Sequence, residues 1–156
     1  MLGVIDRKLE AMGYPLDRVA GPGAIYTPVV VDGTTIYTAG AIANDGDKLV
    51  SKGKVPSQVP LADAQKAAAL CAANILRNVR KVIGTLDRIE RVLRLMGYVN
   101  TDPDFTDQHL VINGASQFLV DLFGESGMHA RTAIGVYVLP RGSSVEVDMV
   151  LKLRSS

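Results

Sequence analysis

From Val145 to Leu153 the chain alternates with a period of two. Val145, Val147, Met149, Leu151 and Leu153 fall on one side, and Glu146, Asp148 and Lys152 on the other, with Val150 the one break. Successive side chains of a strand point to opposite faces, so this segment reads as a strand with a core on one side only. Such a strand needs neighbours beside it and a layer over its apolar face. Residues 60–83 supply the clearest layer: Ala64, Ala68, Cys71, Ile75, Val79 and Val82 run along one helical face. The small residues there let a helix lie close to a sheet. Pro60 suits its first turn and Gly84 its stop. A second helix is expected over 106–123, burying Leu110, Val111, Phe118, Leu119 and Leu122 and ending at Gly124.

Strands are expected over 88–99 and 131–139 as well, the latter joined to the closing strand through residues 140–144. A hairpin is expected from 26–31 and 34–39, turning at Asp32-Gly33, with a short strand at 48–51. Ile5, Leu9 and Met12 mark a short amphipathic helix that Gly13 and Pro15 end. The order β-β-(β)-α-β-α-β-β predicts an α/β (α+β) fold: a mixed sheet with two main helices packed on one face, plus the short N-terminal helix. The chain reads as one domain, 1–156, with a helical extension over 1–20. The uncovered sheet face needs a cover, and a second copy of the chain is the economical one.

Composition excludes several functions. With 17 Lys+Arg against 16 Asp+Glu and a net charge of +1, the chain lacks the positive excess of a dedicated nucleic-acid binder. Only Cys71, His109 and His129 are available for a Cys/His metal site, so no metal is expected. Cys71 sits among alanines and reads as core packing, and a single cysteine fits a reducing compartment. No apolar run approaches the ~18 residues of a membrane span, and Asp6, Arg7 and Lys8 interrupt the start before a signal peptide can form. The expectation is a cytoplasmic protein. No phosphate-binding loop, dinucleotide fingerprint, zinc-protease helix or nucleophile elbow is present, and Gly21-Pro22-Gly23 reads as a plain loop. Arg77, Arg80, Lys81, Arg88, Arg91 and Arg94 form a local excess over Asp87 and Glu90 without interleaved aromatics. They read as a solvated helix face with ion pairs between subunits.

Three residues could carry chemistry. Arg131 opens an apolar strand, where a guanidinium can clamp a carboxylate through two parallel bonds or simply face solvent. His129, two residues earlier, shares its face in an extended chain and is either a proton donor or a polar residue at a loop exit. Glu146, on the pairing strand, either binds water or the arginine or is merely solvated.

The run His129-Ala130-Arg131-Thr132-Ala133-Ile134-Gly135-Val136, then Leu139-Pro140, then Val145-Glu146-Val147-Asp148, resembles the C-terminal signature of the RidA/YjgF family. Tyr26 before the hairpin, Gly40 after it and Leu86-Asp87-Arg88-Ile89 fit the same layout, over about residues 24–153. The N-terminal helix and Asn100–Phe105 resemble a longer subgroup. The resemblance implies a chorismate-mutase-like subunit, a homotrimer with clefts between subunits, and hydrolysis of reactive 2-imino or enamino acids to 2-keto acids and ammonia, without metal or organic cofactor. It implies that Arg131 grips the substrate carboxylate, that Tyr26 is the cleft tyrosine and that Glu146 is the acidic residue of the last strand. Gly40, Ala133 and His129 would complete the substrate pocket. Three segments depart from the family: its Ser-Gly-Gln is Ala39-Gly40-Ala41 here, its common Gly-Pro/Asn-Tyr is Ala24-Ile25-Tyr26, and its frequent cysteine is Ala133. The Ala39-Gly40-Ala41 segment, which lacks the hydroxyl and the amide, favours, as the alternative, a non-catalytic trimer that binds or senses a small carboxylate. RNA cleavage, a label on some relatives, is disfavoured by the near-neutral charge and the lack of an acid–base histidine pair.

Overall fold

A computed structural model describes residues 1–156. In chain order the elements are α1 (Val4–Ala11), β1 (Val29–Asp32), β2 (Thr35–Thr38), β3 (Ala41–Ile42), β4 (Asn44–Asp45), β5 (Lys48–Leu49), α2 (Leu61–Ile83), β6 (Ile89–Asn100), α3 (Gln108–Phe123), β7 (Ala130–Val136) and β8 (Val145–Leu153). The main sheet runs β1-β2-β8-β6-β7, with β3 also paired to β8. Only β7 joins in parallel, to β6. The expected mixed sheet with two long helices on one face is therefore present, and β4 and β5 form a separate small hairpin.

The two-residue alternation in β8 does what its pattern requires: all five odd-numbered apolar residues are buried and the even-numbered ones are not. α2 and α3 cover that face. Their packing depends on Gly114, where a Cβ would overlap the Gln65 carbonyl of α2, so only glycine lets the two backbones come this close. The opposite sheet face carries no layer. Tyr37 is 50%, Val30 48% and Ile134 41% exposed on it.

Four local expectations need correction. The hairpin turns at Gly33-Thr34, not Asp32-Gly33, because Asp32 pairs with Thr35. Gly33 has φ +59°, which places glycine first in the turn, where a type II′ turn requires it. β7 ends at Val136 rather than 139; Tyr137 leaves the sheet and lies under the Lys54 ammonium, 4.5 Å from its ring centre. Val82 is exposed and Ile83 takes the buried place, a drift of about one residue expected when a face is extrapolated along a helix of over six turns. Arg77 is not solvated: it is 2% exposed and donates to Asn74 Oδ1 at 2.8 Å.

The N-terminal helix is tied down by two carboxylates that cap each other's elements. Asp87 accepts the Val4 and Ile5 amides at 2.7 and 2.6 Å. Asp6 accepts the Leu86 amide at 2.9 Å, and Arg80 Nε lies 3.2 Å from its other oxygen as a charge contact. Burial pushes the Asp6 carboxyl up, but the Leu86 amide, Thr85, the Gly3 amide and Arg80 outweigh it and hold it below the ordinary value. Asp87→Ala leaves two helix-start amides without an acceptor. It is expected to cost about 1–2 kcal/mol in urea unfolding, with the α1 amides losing hydrogen-exchange protection first. An unchanged midpoint would show that α1 is held by apolar contacts alone.

Candidate functional site

β7 carries Arg131 at the edge of the sheet, opposite Leu95 of β6. Its side chain turns toward α3, where His109, Asn113 and Ser116 follow at helical spacing on one face. Nη1 donates to Asn113 Oδ1 at 2.9 Å and to Ser116 Oγ at 3.1 Å, and Nη2 donates to the His109 carbonyl at 3.1 Å. All three acceptors are neutral, and no carboxylate pairs with the guanidinium. Partial burial lowers its pKa, but a guanidinium in a protein stays charged. Three of its five N–H donors are spent. Nε–H makes no bond within the chain and Nη2 makes only one, so the guanidinium keeps donors at Nε and Nη2 for a carboxylate.

His129 is half-buried beside it. Its Nδ1 lies 2.6 Å from the Gly127 carbonyl and its Nε2 lies 2.9 Å from Ser116 Oγ. Gly127 closes a 3-10 turn, Gly124–Gly127, pressed on α3 so tightly that a Cβ there would overlap the Leu119 carbonyl. These groups open onto a cleft of about 1020 Å³ floored by Met12, Tyr14 and Phe118. Tyr14 and Phe118 meet edge to face at 5.1 Å.

Glu146, Tyr26 and Gly40 meet in a second cleft of about 810 Å³, lined also by Asn74, Asn78 and Arg141. A Cβ on Gly40 would stand 2.8 Å from Glu146 Oε2, so the loop after β2 passes close over this carboxylate and a larger residue there would displace it. Burial, then the Asp148 carboxylate, raises the Glu146 pKa. Burial likewise raises that of Asp148, which accepts the Tyr98 hydroxyl at 2.9 Å. Burial and that bond push Tyr98 up to about 12. Cys71 is fully buried and donates to the Val145 carbonyl; its thiol is raised by burial and is inert.

The expected site residues thus fall into two groups on one chain. Arg131 and His129 share the first cleft; Tyr26, Gly40 and Glu146 share the second. Ala133 lies across from Gly97 of β6 and packs partly into the core. The direct Glu146–Arg131 bond that adjacency of strands suggested is absent, because β6 lies between β7 and β8. Asn113 and Ser116 escaped the sequence reading. The signal was there as a polar stripe, His109, Asn113 and Ser116, within an apolar helix.

A family model described as "YjgF/chorismate mutase-like, putative endoribonuclease" matches residues 6–153. Protein TCP17 of Trypanosoma cruzi is 34% identical over 154 residues, covering 98% of this chain and 96% of its own. A crystal structure of a protein of unknown function from Agrobacterium tumefaciens is similar at 39% identity and a TM-score of 0.89, over 97% of this chain and 93% of that one. A putative endoribonuclease from Shewanella oneidensis is similar at 26% identity and a TM-score of 0.91, over 97% and 100%.

The raised Glu146 carboxyl has a signed consequence. A carboxyl whose folded pKa exceeds its unfolded one costs nothing while protonated in both states; the cost grows as pH rises through the folded value. Glu146→Gln removes that cost. Its melting temperature should exceed wild type at pH 7–8 and converge with it near about pH 4. A variant that melts below wild type at neutral pH would mean that the charged form is stabilised by a partner.

Proposed function

The chain belongs to the RidA/YjgF, chorismate-mutase-like family, and from that premise we propose that it hydrolyses reactive 2-imino and enamino acids to 2-keto acids and ammonia. The observation that carries this reading is the Arg131 guanidinium: charged, oriented by three neutral oxygens, opposed by no carboxylate, and left with donors at Nε and Nη2. That is a preorganised seat for a small carboxylate.

In this reading the working site forms between copies of a homotrimer. Arg131 and His129 come from one copy, and Tyr26, Gly40 and Glu146 come from its neighbour. Two observations support an assembly: the two clefts are separate on one chain, and the uncovered sheet face carries Val30, Tyr37 and Ile134.

The chemistry required is modest. A protonated imine carbon is already electrophilic, so the protein fixes the carboxylate, orients one water and moves protons. Arg131 holds the carboxylate and draws the imine carbon into the cleft. Glu146, half-buried and with a raised pKa, orients the attacking water. Tyr26, 47% exposed in one chain, borders the ligand. Ala39-Gly40-Ala41 offers backbone groups only.

Losing two charge-assisted bonds costs roughly 3 kcal/mol, or about 100-fold in kcat/KM. Arg131→Ala is expected to lose at least that much in an assay that traps imines with semicarbazide as an amino-acid oxidase generates them, while keeping the wild-type circular dichroism spectrum. Full activity in this variant would remove Arg131 from the site. Saturable binding of 2-ketobutyrate by wild type without turnover would instead make the protein a carboxylate sensor.

A further inference from the structure

We infer that Ser116 and His129 form a proton relay serving the ligand held by Arg131. The inference rests on the imine-hydrolysis reading and extends it to two named groups. Three bonds run in one direction. Gly127 offers a carbonyl, so the His129 nitrogen 2.6 Å from it, Nδ1, carries the proton. In the neutral imidazole Nε2 then holds a lone pair, 2.9 Å from Ser116 Oγ. Arg131 Nη1 donates to the same Oγ at 3.1 Å. The serine hydroxyl therefore stands between a cation that donates to it and a base that accepts from it. A serine inside a helix usually bonds back to the preceding turn; this one is turned to His129 instead.

Both ends are fixed. Ser116 is on α3, and His129 is held by the Gly127 carbonyl, whose close approach to α3 leaves no room for a side chain. The charged groups lining the clefts around the imidazole are Arg131, two residues on in β7, Arg91 of β6, Lys66 of α2 and Asp121 of α3. The last accepts from Gln117 at 2.8 Å.

The oxygen of a water molecule bonds to the carbon of the protonated imine, and the C=N π pair moves to nitrogen. The water's proton passes to Ser116 Oγ as the Ser116 proton passes to His129 Nε2. The relay then runs backwards: Nε2 returns its proton to Oγ, and Ser116 gives one to the amine nitrogen. The C–N bond breaks with its pair on nitrogen, ammonia leaves, and the hydroxyl pair closes the carbonyl as its proton goes through the relay to solvent. The products are the 2-keto acid and ammonium.

The test is steady-state imine hydrolysis from pH 5 to 9 by wild type, Ser116→Ala, His129→Asn and the double variant. Alanine suits the helix interior, so Ser116→Ala keeps the fold. Each single variant is expected to lose at least 10-fold in kcat with KM within 2-fold, and the double variant no more than either alone. His129→Asn should also lose the limb of the kcat profile that reports an imidazole. Wild-type kcat and pH profile in both single variants would overturn the relay while leaving the imine reading intact. An inactive wild type would overturn the reading first, and nitrogen NMR of the His129 ring then judges the relay's geometry without turnover. A proton on Nδ1 and an Nε2 signal that shifts in Ser116→Ala support it; a proton on Nε2 alone refutes it.

Discussion

The seam between β7 and α3 sets everything else at the site. Parallel pairing places Leu95 beside Arg131 and Gly97 beside Ala133. A Cβ on Gly97 would overlap the Ile112 side chain, so the missing side chain lets α3 come down onto the sheet. That brings the His109–Asn113–Ser116 face to the edge where the arginine reaches. A carboxylate at this point would hold the guanidinium as firmly but would cancel its field. Neutral oxygens orient the group and leave its charge for a ligand.

The second cleft has the opposite character. Gly40 passes over Glu146, and Asp148 sits two residues on along β8, so two carboxyls share one partly desolvated face with Tyr98. One chain therefore offers a cationic grip in one place and an acid in another. Glu146 is suited to proton exchange because burial and a like charge raise its pKa, the usual way in which a carboxyl is tuned toward neutrality. The replacement of a hydroxyl and an amide by Ala39 and Ala41 makes this cleft less polar than the family pattern.

Much of the architecture was legible. The alternation in Val145–Leu153 and the small-residue face of 60–83 reported burial directly, since period and side-chain size are properties of sequence. What failed was local. The β1–β2 turn slipped by one residue because Asp-Gly and Gly-Thr are both good turn pairs, and only strand register decides between them. Arg77 read as solvated because its charge predicts exposure; nothing local showed that the chain would fold over it. At the candidate site, Arg131 and His129 stand out in the sequence because an arginine opening an apolar strand is conspicuous. Asn113 and Ser116 were missed because their meaning comes from a strand 15 or more residues away. Within one chain Tyr26 and Glu146 line a different cleft from Arg131, because strand order in the sheet is not strand order in sequence.

The site depends on Arg131 taking up a carboxylate through the Nε and Nη2 donors that the chain leaves unspent. The most direct measurement is the Nε–H resonance of Arg131 in a selectively labelled protein as 2-ketobutyrate is added. The account predicts a saturable downfield shift of this one arginine signal, with the side chains of Arg77 and Arg80 unmoved. A resonance that stays in place while the ligand binds, or a ligand that binds with the Arg131 signal still exchanging as in the free protein, would contradict it.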